Sequence, residues 1–306
     1  MTRLLIRHET RYAYERPVSF GPQRLLLRPR DSHGLRVERT ALTLSPQGQA
    51  RWTYDALGNC VCWFQPVGEA DAMTVVSELV IERFPAPLEA FHPQDPHTAM
   101  PIVYARDDRL ALAPFMTPDS EDDLGLTRWL LELMDQPGEP ALDFLLRFNS
   151  AIHGGFAYQA RYEEGVQTPA ETLEKRSGSC RDLAWLMVEA LRRAGYAARF
   201  VSGYLNSPSS GGLRGAGATH AWCEVFLPDL GWTEFDPTNG LAESADLIPV
   251  AVARTPREAS PVSGTILGDP GRSTLDVHVE VGLADAPSPP ADSPLGRPAD
   301  QCAAGE

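Results

Sequence analysis

One stretch limits what this chain can become: Ser177-Gly178-Ser179-Cys180-Arg181-Asp182-Leu183-Ala184-Trp185-Leu186-Met187-Val188-Glu189-Ala190-Leu191-Arg192-Arg193-Ala194-Gly195. A small, flexible approach delivers a cysteine to the start of a strongly helical run, and Gly195 supplies a left-handed stop. Asp182, Glu189, Arg192 and Arg193 form its polar stripe, so most of the circumference is apolar and the helix is expected to be buried. A cysteine in the first turn of such a helix faces unpaired backbone N–H groups and the positive end of the helix dipole. Both favour thiolate over thiol, and such positions lower a free cysteine from about 8.5 into the range of about 3.5–7.5. The expectation is a reactive thiol at Cys180.

A nucleophilic thiol needs a base and a group to orient that base, and both lie downstream. His220-Ala221-Trp222-Cys223-Glu224-Val225-Phe226-Leu227 alternates as a strand does. Pro228-Asp229-Leu230-Gly231 reads as a turn, and Trp232-Thr233-Glu234-Phe235-Asp236 as a second strand stopped by Pro237. His220 and Asp236 are 16 residues apart, an even number. An antiparallel hairpin centred near Pro228 would set them opposite each other on one face, with Trp222 across from Glu234. A bulge would change that register. A cysteine on a helix start with histidine and aspartate on neighbouring strands is the nucleophile, base and orienter of a thiol acyl-transfer site.

Four blocks occur in order: Gly178-Ser179-Cys180-Arg181-Asp182, Ala198-Arg199-Phe200-Val201-Ser202-Gly203-Tyr204-Leu205, Thr219-His220-Ala221-Trp222 and Phe235-Asp236-Pro237-Thr238-Asn239-Gly240. Together they resemble the transglutaminase-like superfamily of papain-related folds in its bacterial form. Tyr12-x-Tyr14-x-x-Pro17-Val18 and Leu25-x-x-Arg28-Pro29-Arg30 resemble the β-domain that precedes the bacterial core. The resemblance implies an α+β fold: an N-terminal β-sandwich, then a papain/transglutaminase-like core in which a helix-borne cysteine packs on an antiparallel sheet carrying histidine and aspartate. It implies Cys180 as nucleophile, His220 as base and Asp236 as orienter. Trp185 departs from the pattern, because many relatives carry a histidine there; the position lies outside the triad and bears on subfamily and substrate.

The rest of the chain is consistent with that plan. Its 306 residues suggest two domains, and a hydrophobic content of 43% is enough for real cores. Runs at 4–14, 24–28, 36–44, 50–54, 60–65 and 73–81 read as short strands, which favours a sandwich over residues 1–84. Proline-rich residues 85–101 read as a linker, 102–283 as the catalytic domain and 284–306 as a disordered tail. Helices are expected near 126–134 and 141–153, and Thr168-Pro169-Ala170-Glu171 is a capped helix start. A net charge of −14 argues against nucleic acid and against an anionic membrane surface as partners. No apolar run reaches membrane-spanning length. The charged start without a signal-peptide pattern, and five cysteines without framework spacing, point to a reducing cytoplasm.

Other chemistry-bearing residues have plainer readings. Asp182 complements the helix dipole. Cys60 and Cys62 are a metal half-site without a second half and read as packing, Cys223 as core and Cys302 as idle tail. Tyr158 and Tyr204 either reach the cleft or sit half-buried in a sheet, and Glu224 or Glu234 either lines the cleft or lies on a half-exposed face. The 206–218 loop, rich in serine and glycine, either borders the cleft or is a tolerated surface loop. No oxygen-rich calcium loop is seen, so neither cofactor nor metal is expected. The expected substrate is a peptide or protein amide, cleaved by a peptidase or amidase through a thioester. A transglutaminase or transpeptidase passing the acyl group to an amine shares the same triad, and a non-catalytic binding or scaffold module is the remaining alternative.

Overall fold

The computed structural model describes residues 1–84, 100–119, 124–136, 138–161, 163–207, 212–228 and 230–284. Most of the expected linker, the acidic run after Asp119, and the tail with Cys302 lie outside the described residues.

The N-terminal region is antiparallel sheet built on one long strand. β1 (Thr2–Arg28) absorbs the two strands expected at 4–14 and 24–28. Its pairing with β5 (Glu69–Arg83) slips between Ala13 and Val18, around Pro17, which has no N–H to give to a ladder. β2 (Leu35–Ser45), β3 (Gly48–Tyr54) and β4 (Cys60–Pro66) complete the path β2-β5-β1-β4-β3. The first part of β1 pairs with β5 and the last part with β4. Val18, Phe20, Leu25, Cys62, Phe64, Met73 and Val75, drawn from both parts, pack into one core.

Among the described residues, five α-helices and a second sheet follow: α1 (Arg106–Met116), α2 (Leu124–Leu133), α3 (Ala141–Gly155), α4 (Pro169–Lys175) and α5 (Cys180–Arg193). α1 was not expected; Pro114 lies inside it and only Leu112 and Phe115 are buried, so it lacks a strong apolar stripe. Short strands β6 (Ala157–Tyr158) and β7 (Ser177–Gly178) pair in parallel just before α5. The second sheet has the order β11-β10-β9-β8-β12. Its strands are β8 (Ala198–Leu205), β9 (His220–Leu227), β10 (Gly231–Asp236), β11 (Leu241–Ala242) and β12 (Leu247–Ala253).

The chain ends by returning to its beginning. β13 (Val262–Leu267) and β14 (Ser273–Leu283) both pair with β1, along Ser19–Leu25 and Leu4–Tyr14 respectively. The expected catalytic unit 102–283 therefore gives its last two strands to the N-terminal sheet. The physical reason is the edge left open along β1, whose backbone N–H and C=O groups need partners. Pairing across some 250 positions leaves no local trace in sequence.

The two sheets are joined by Leu4, Ile6, Leu79, Ile81 and Val279 packing against Tyr204, Ile248 and Val250. Tyr204 is buried between the His8 ring (Nδ1 to hydroxyl 3.0 Å) and the Leu27 carbonyl (3.3 Å), so it serves this junction and not a cleft. Within the second sheet, a Cβ on Gly203 would lie 2.2 Å from the Ile248 carbonyl oxygen and 2.6 Å from the Trp222 ring. Gly203→Ala is therefore expected to lower unfolding free energy by about 1–3 kcal/mol, read from urea denaturation.

Every residue of α5 except Arg181 and Arg193 is buried. Its expected polar stripe is internal: Glu189 pairs with Arg192 at 3.2 Å, and Arg192 also donates to the carbonyls of Ala198 and Arg254 at 3.0 and 2.7 Å.

Candidate active site

The start of α5 is held by a buried carboxylate. Asp182 Oδ2 accepts the backbone N–H and the hydroxyl of Ser179, both at 2.8 Å. Its Oδ1 accepts the Gln167 N–H and the Arg161 guanidinium, both at 2.7 Å. Burial alone would raise the pKa of this carboxyl, but these donors hold it below the ordinary carboxylate range. Asp182 is thus the anchor of the approach loop, more than a charge complementing a dipole. Gly178 is dictated by the same contact, since a Cβ there would lie 2.7 Å from Asp182 Cβ. Asp182→Ala leaves Arg161 and two N–H groups without their acceptor, and about 3–5 kcal/mol of stability should be lost in denaturant titrations.

β9 and β10 carry the other two candidates, in a register that differs from the expected one. Glu234 lies opposite Glu224 and Phe235 opposite Cys223, so the hairpin is displaced from the Pro228-centred arrangement. The turn closes with the Leu230 N–H on the Leu227 carbonyl, followed by Gly231 at φ +77°. His220 and Asp236 keep the same parity but meet diagonally, a spacing that a long ring and a carboxylate can bridge. His220 Nε2 stands 2.8 Å from Asp236 Oδ2. Trp222 likewise reaches diagonally, donating its indole N–H to Glu234 Oε1 at 3.2 Å.

Asp236 is fully buried and its oxygens are well supplied. Oδ1 accepts the Thr238 N–H at 2.9 Å, and Oδ2 takes the Asn239 side-chain amide at 2.8 Å besides His220. Burial would raise this carboxyl, but His220, Asn239 and Thr238 hold it below the ordinary range. His220 is 1% exposed. Burial lowers its pKa, yet attraction and hydrogen bonding to Asp236, with a further contribution from Cys180, outweigh that and push it up to about 10. The Asp236 carboxylate therefore favours the protonated form of the ring. Its Nδ1 is buried and has no hydrogen-bond partner among the described residues. Cys180, at the first position of α5, lies near enough for its sulfur to act on the ring.

Other candidates fall elsewhere. Cys223 belongs to the core under α5, and burial pushes its thiol up. Cys60 and Cys62 are buried in the N-terminal sheet, where burial pushes Cys62 up to about 11. Glu224 and Glu234 do not line a cleft: both are buried, Glu224 pairs with Arg199, and burial together with Glu224 and Glu243 raises Glu234 well above the ordinary range. Tyr158 is half-buried beside Gly215, which itself lies against His220. In the sequence Asn239 stands only as part of the block from Phe235 to Gly240. The local signal is only that asparagine is a turn residue with a side-chain amide able to donate, three positions after the aspartate. Among the described residues, no group of three or more His, Cys, Asp or Glu side chains is placed to hold a metal.

A helix-borne cysteine beside an antiparallel sheet carrying a buried histidine–aspartate pair defines a transglutaminase-like, papain-related core. Residues 4–82 match the family model of the bacterial transglutaminase-like N-terminal region, and residues 130–237 match that of the transglutaminase-like superfamily. The chain belongs to the transglutaminase-like superfamily, in the form that carries this bacterial N-terminal region. It is 28% identical to an uncharacterized protein of Mycobacterium tuberculosis over 296 residues, covering 91% of this chain and 92% of that protein. It is 36% identical over 119 residues to a protein-glutamine gamma-glutamyltransferase of Pseudomonas aeruginosa, covering 35% of this chain and 16% of that enzyme. The fold resembles that of a candidate cysteine protease from Cytophaga hutchinsonii, with TM-score 0.70, 17% identity, and coverage of 94% and 93% of the two chains.

Proposed function

We propose that this chain is a thiol-dependent acyl-transfer enzyme acting on peptide or protein amides, with Cys180 as nucleophile, His220 as acid–base and Asp236 as orienter. One observation carries the reading: a buried His220–Asp236 pair at 2.8 Å leaves Nδ1 without a hydrogen-bond partner among the described residues, and a cysteine at a helix start lies near enough to act on that ring. Asp236 holds Nε2–H, so Nδ1 is the nitrogen available to exchange a proton with the sulfur.

The steps follow from those positions. Cys180 thiolate attacks the amide carbonyl carbon, and the C=O electron pair moves onto oxygen. The Cys180 backbone N–H, at the first helical position, is the natural donor to that oxyanion. Collapse breaks the C–N bond while His220 Nδ1–H protonates the departing amine, leaving a thioester and a neutral imidazole. His220 then takes a proton from the incoming nucleophile, and the second collapse releases the acyl product and the thiolate.

Hydrolysis is the favoured outcome. Water is present at about 55 M, so an amine wins only where a site gives it a high effective molarity. Glu224 and Glu234, the residues best suited to attract a cationic amine, are instead engaged internally. Similarity to a protein-glutamine gamma-glutamyltransferase supports the second reading, transfer to an amine. Mass spectrometry of peptide products with and without an added primary amine separates the two. Hydrolysed products in both reactions are expected; amine-coupled products dominating at millimolar amine would establish transfer instead.

A further inference from the structure

Asn239 joins two parts of the site that the sequence keeps apart. Its Nδ2 donates to Asp236 Oδ2 at 2.8 Å and to the Arg214 carbonyl at 3.2 Å. Its Oδ1 accepts the Arg214 N–H at 2.8 Å. Arg214 begins the turn 214–217, and the next residue lies on the catalytic ring: a Cβ on Gly215 would stand 2.8 Å from His220 Nδ1 and 3.3 Å from its Cε1. The far end of the turn is tied down separately, by the Val279 N–H of β14 on the Gly217 carbonyl at 3.0 Å. Gly215 and Gly217 hold φ of +89° and +86°, so the turn can lie this close only with glycine at both places.

This turn covers the His220 ring at Nδ1. Cys180 is 6% exposed, His220 1% and Asp236 0%. A substrate carbonyl must come within about 3–3.5 Å of the sulfur, and its leaving nitrogen must reach Nδ1. With the turn seated on the ring, that approach requires the turn to lift, which breaks both Arg214–Asn239 bonds and leaves Asn239 held to Asp236.

We propose that Asn239 is a positioning residue that aligns Asp236 on His220 and latches the 214–217 turn over the ring, so that alignment and closure are one event. The inference rests on the Cys180–His220–Asp236 reading above. Its distinguishing consequence is reciprocal coupling: a change at Asp236, which does not touch the turn, should loosen it. A change at Asn239, whose side chain bonds to Asp236 and Arg214, should alter the pH response of the thiol.

The test uses the full chain and two readouts that need no substrate. Trypsin cleavage after Arg214, followed by mass spectrometry, reports how often the turn is open. The ratio of Cys180 alkylation rates at about pH 6 and about pH 9 reports the protonation balance of the site, and access cancels in the ratio. Asn239→Ala should speed cleavage by about tenfold, as expected for two lost hydrogen bonds. It should also lower the alkylation ratio by about threefold or more, the effect of roughly half a pKa unit. Asp236→Ala should speed cleavage as well. Should the alanine variant at 239 fail to fold, as judged by circular dichroism, Asn239→Ser, too short to reach both partners, takes its place. Cleavage at the wild-type rate in Asp236→Ala, or an unchanged alkylation ratio at position 239, overturns the latch. Amide-directed activity surviving in Cys180→Ala sinks the triad reading instead, whatever the cleavage rates.

Discussion

Cys180→Ala should lose amide-directed activity by about five orders of magnitude or more while remaining folded. The size follows from what thiol or hydroxyl nucleophiles contribute where the rest of the machinery is intact. The retained fold follows from position. Cys180 occupies the first helical residue, while the helix start is secured by Ser179, Asp182, Gln167 and Arg161, none of which contacts its partners through the sulfur. Removing one sulfur from a 6%-exposed site costs about 1–2 kcal/mol, small beside the loss of chemistry. Activity assays paired with a thermal melt check both halves. Full activity in the alanine variant would exclude Cys180 as the nucleophile, and scaffold function would be favoured if iodoacetamide reacted no faster with Cys180 than with Cys60 or Cys223.

Asp236→Asn should reduce activity by about three to four orders of magnitude with little change of shape. The aspartate is the main influence that raises the His220 pKa, since burial alone pulls it down and only Asp236, with help from Cys180, pushes it up to about 10. An asparagine removes that attraction and leaves burial, so the His220 pKa should fall and the ring should be a weaker proton-transfer partner for Cys180. Kinetics of product formation and of Cys180 alkylation should fall together; alkylation unchanged at neutral pH would show that Asp236 does not control the ring. The same pair sets a pH window for stability. The raised His220 contributes fully below its unfolded value of 6.5, and that contribution is lost as pH climbs toward about 10. The lowered Asp236 contributes fully above its unfolded value of 3.8 and less as pH falls below it. The pair's contribution should therefore be greatest between those unfolded values, and Asp236→Asn should flatten both flanks of a stability-against-pH curve.

The strands and helices that carry the site were readable because each has a local cause. The capping pair Thr168 and Glu171 starts α4, with the Thr168 N–H on Glu171 Oε2 at 2.8 Å. The apolar run after Cys180 makes α5 a buried helix, and alternation marks β9 and β10. α1 escaped because it buries little and contains Pro114. β13 escaped because nothing near residues 262–267 reveals that its partner is β1.

Sequence by itself determined the residue types of the site, their order, the helix start beneath Cys180 and the shared face of His220 and Asp236, because parity and capping are short-range properties of the chain. Tertiary structure alone decided the rest. The register of β9 on β10, with Gly231 opposite Leu227, made His220 meet Asp236 diagonally and not directly opposite. Packing made Asp182 an anchor with four close donors, beyond a charge that complements the helix dipole, and enclosed Glu224 and Glu234 away from any cleft. The Asn239 latch and the Val279 tie on Gly217 bring together residues 25 and 62 positions apart. Such contacts are set by how whole elements pack, and a hydrogen bond between distant residues has no period, cap or turn by which a sequence announces it.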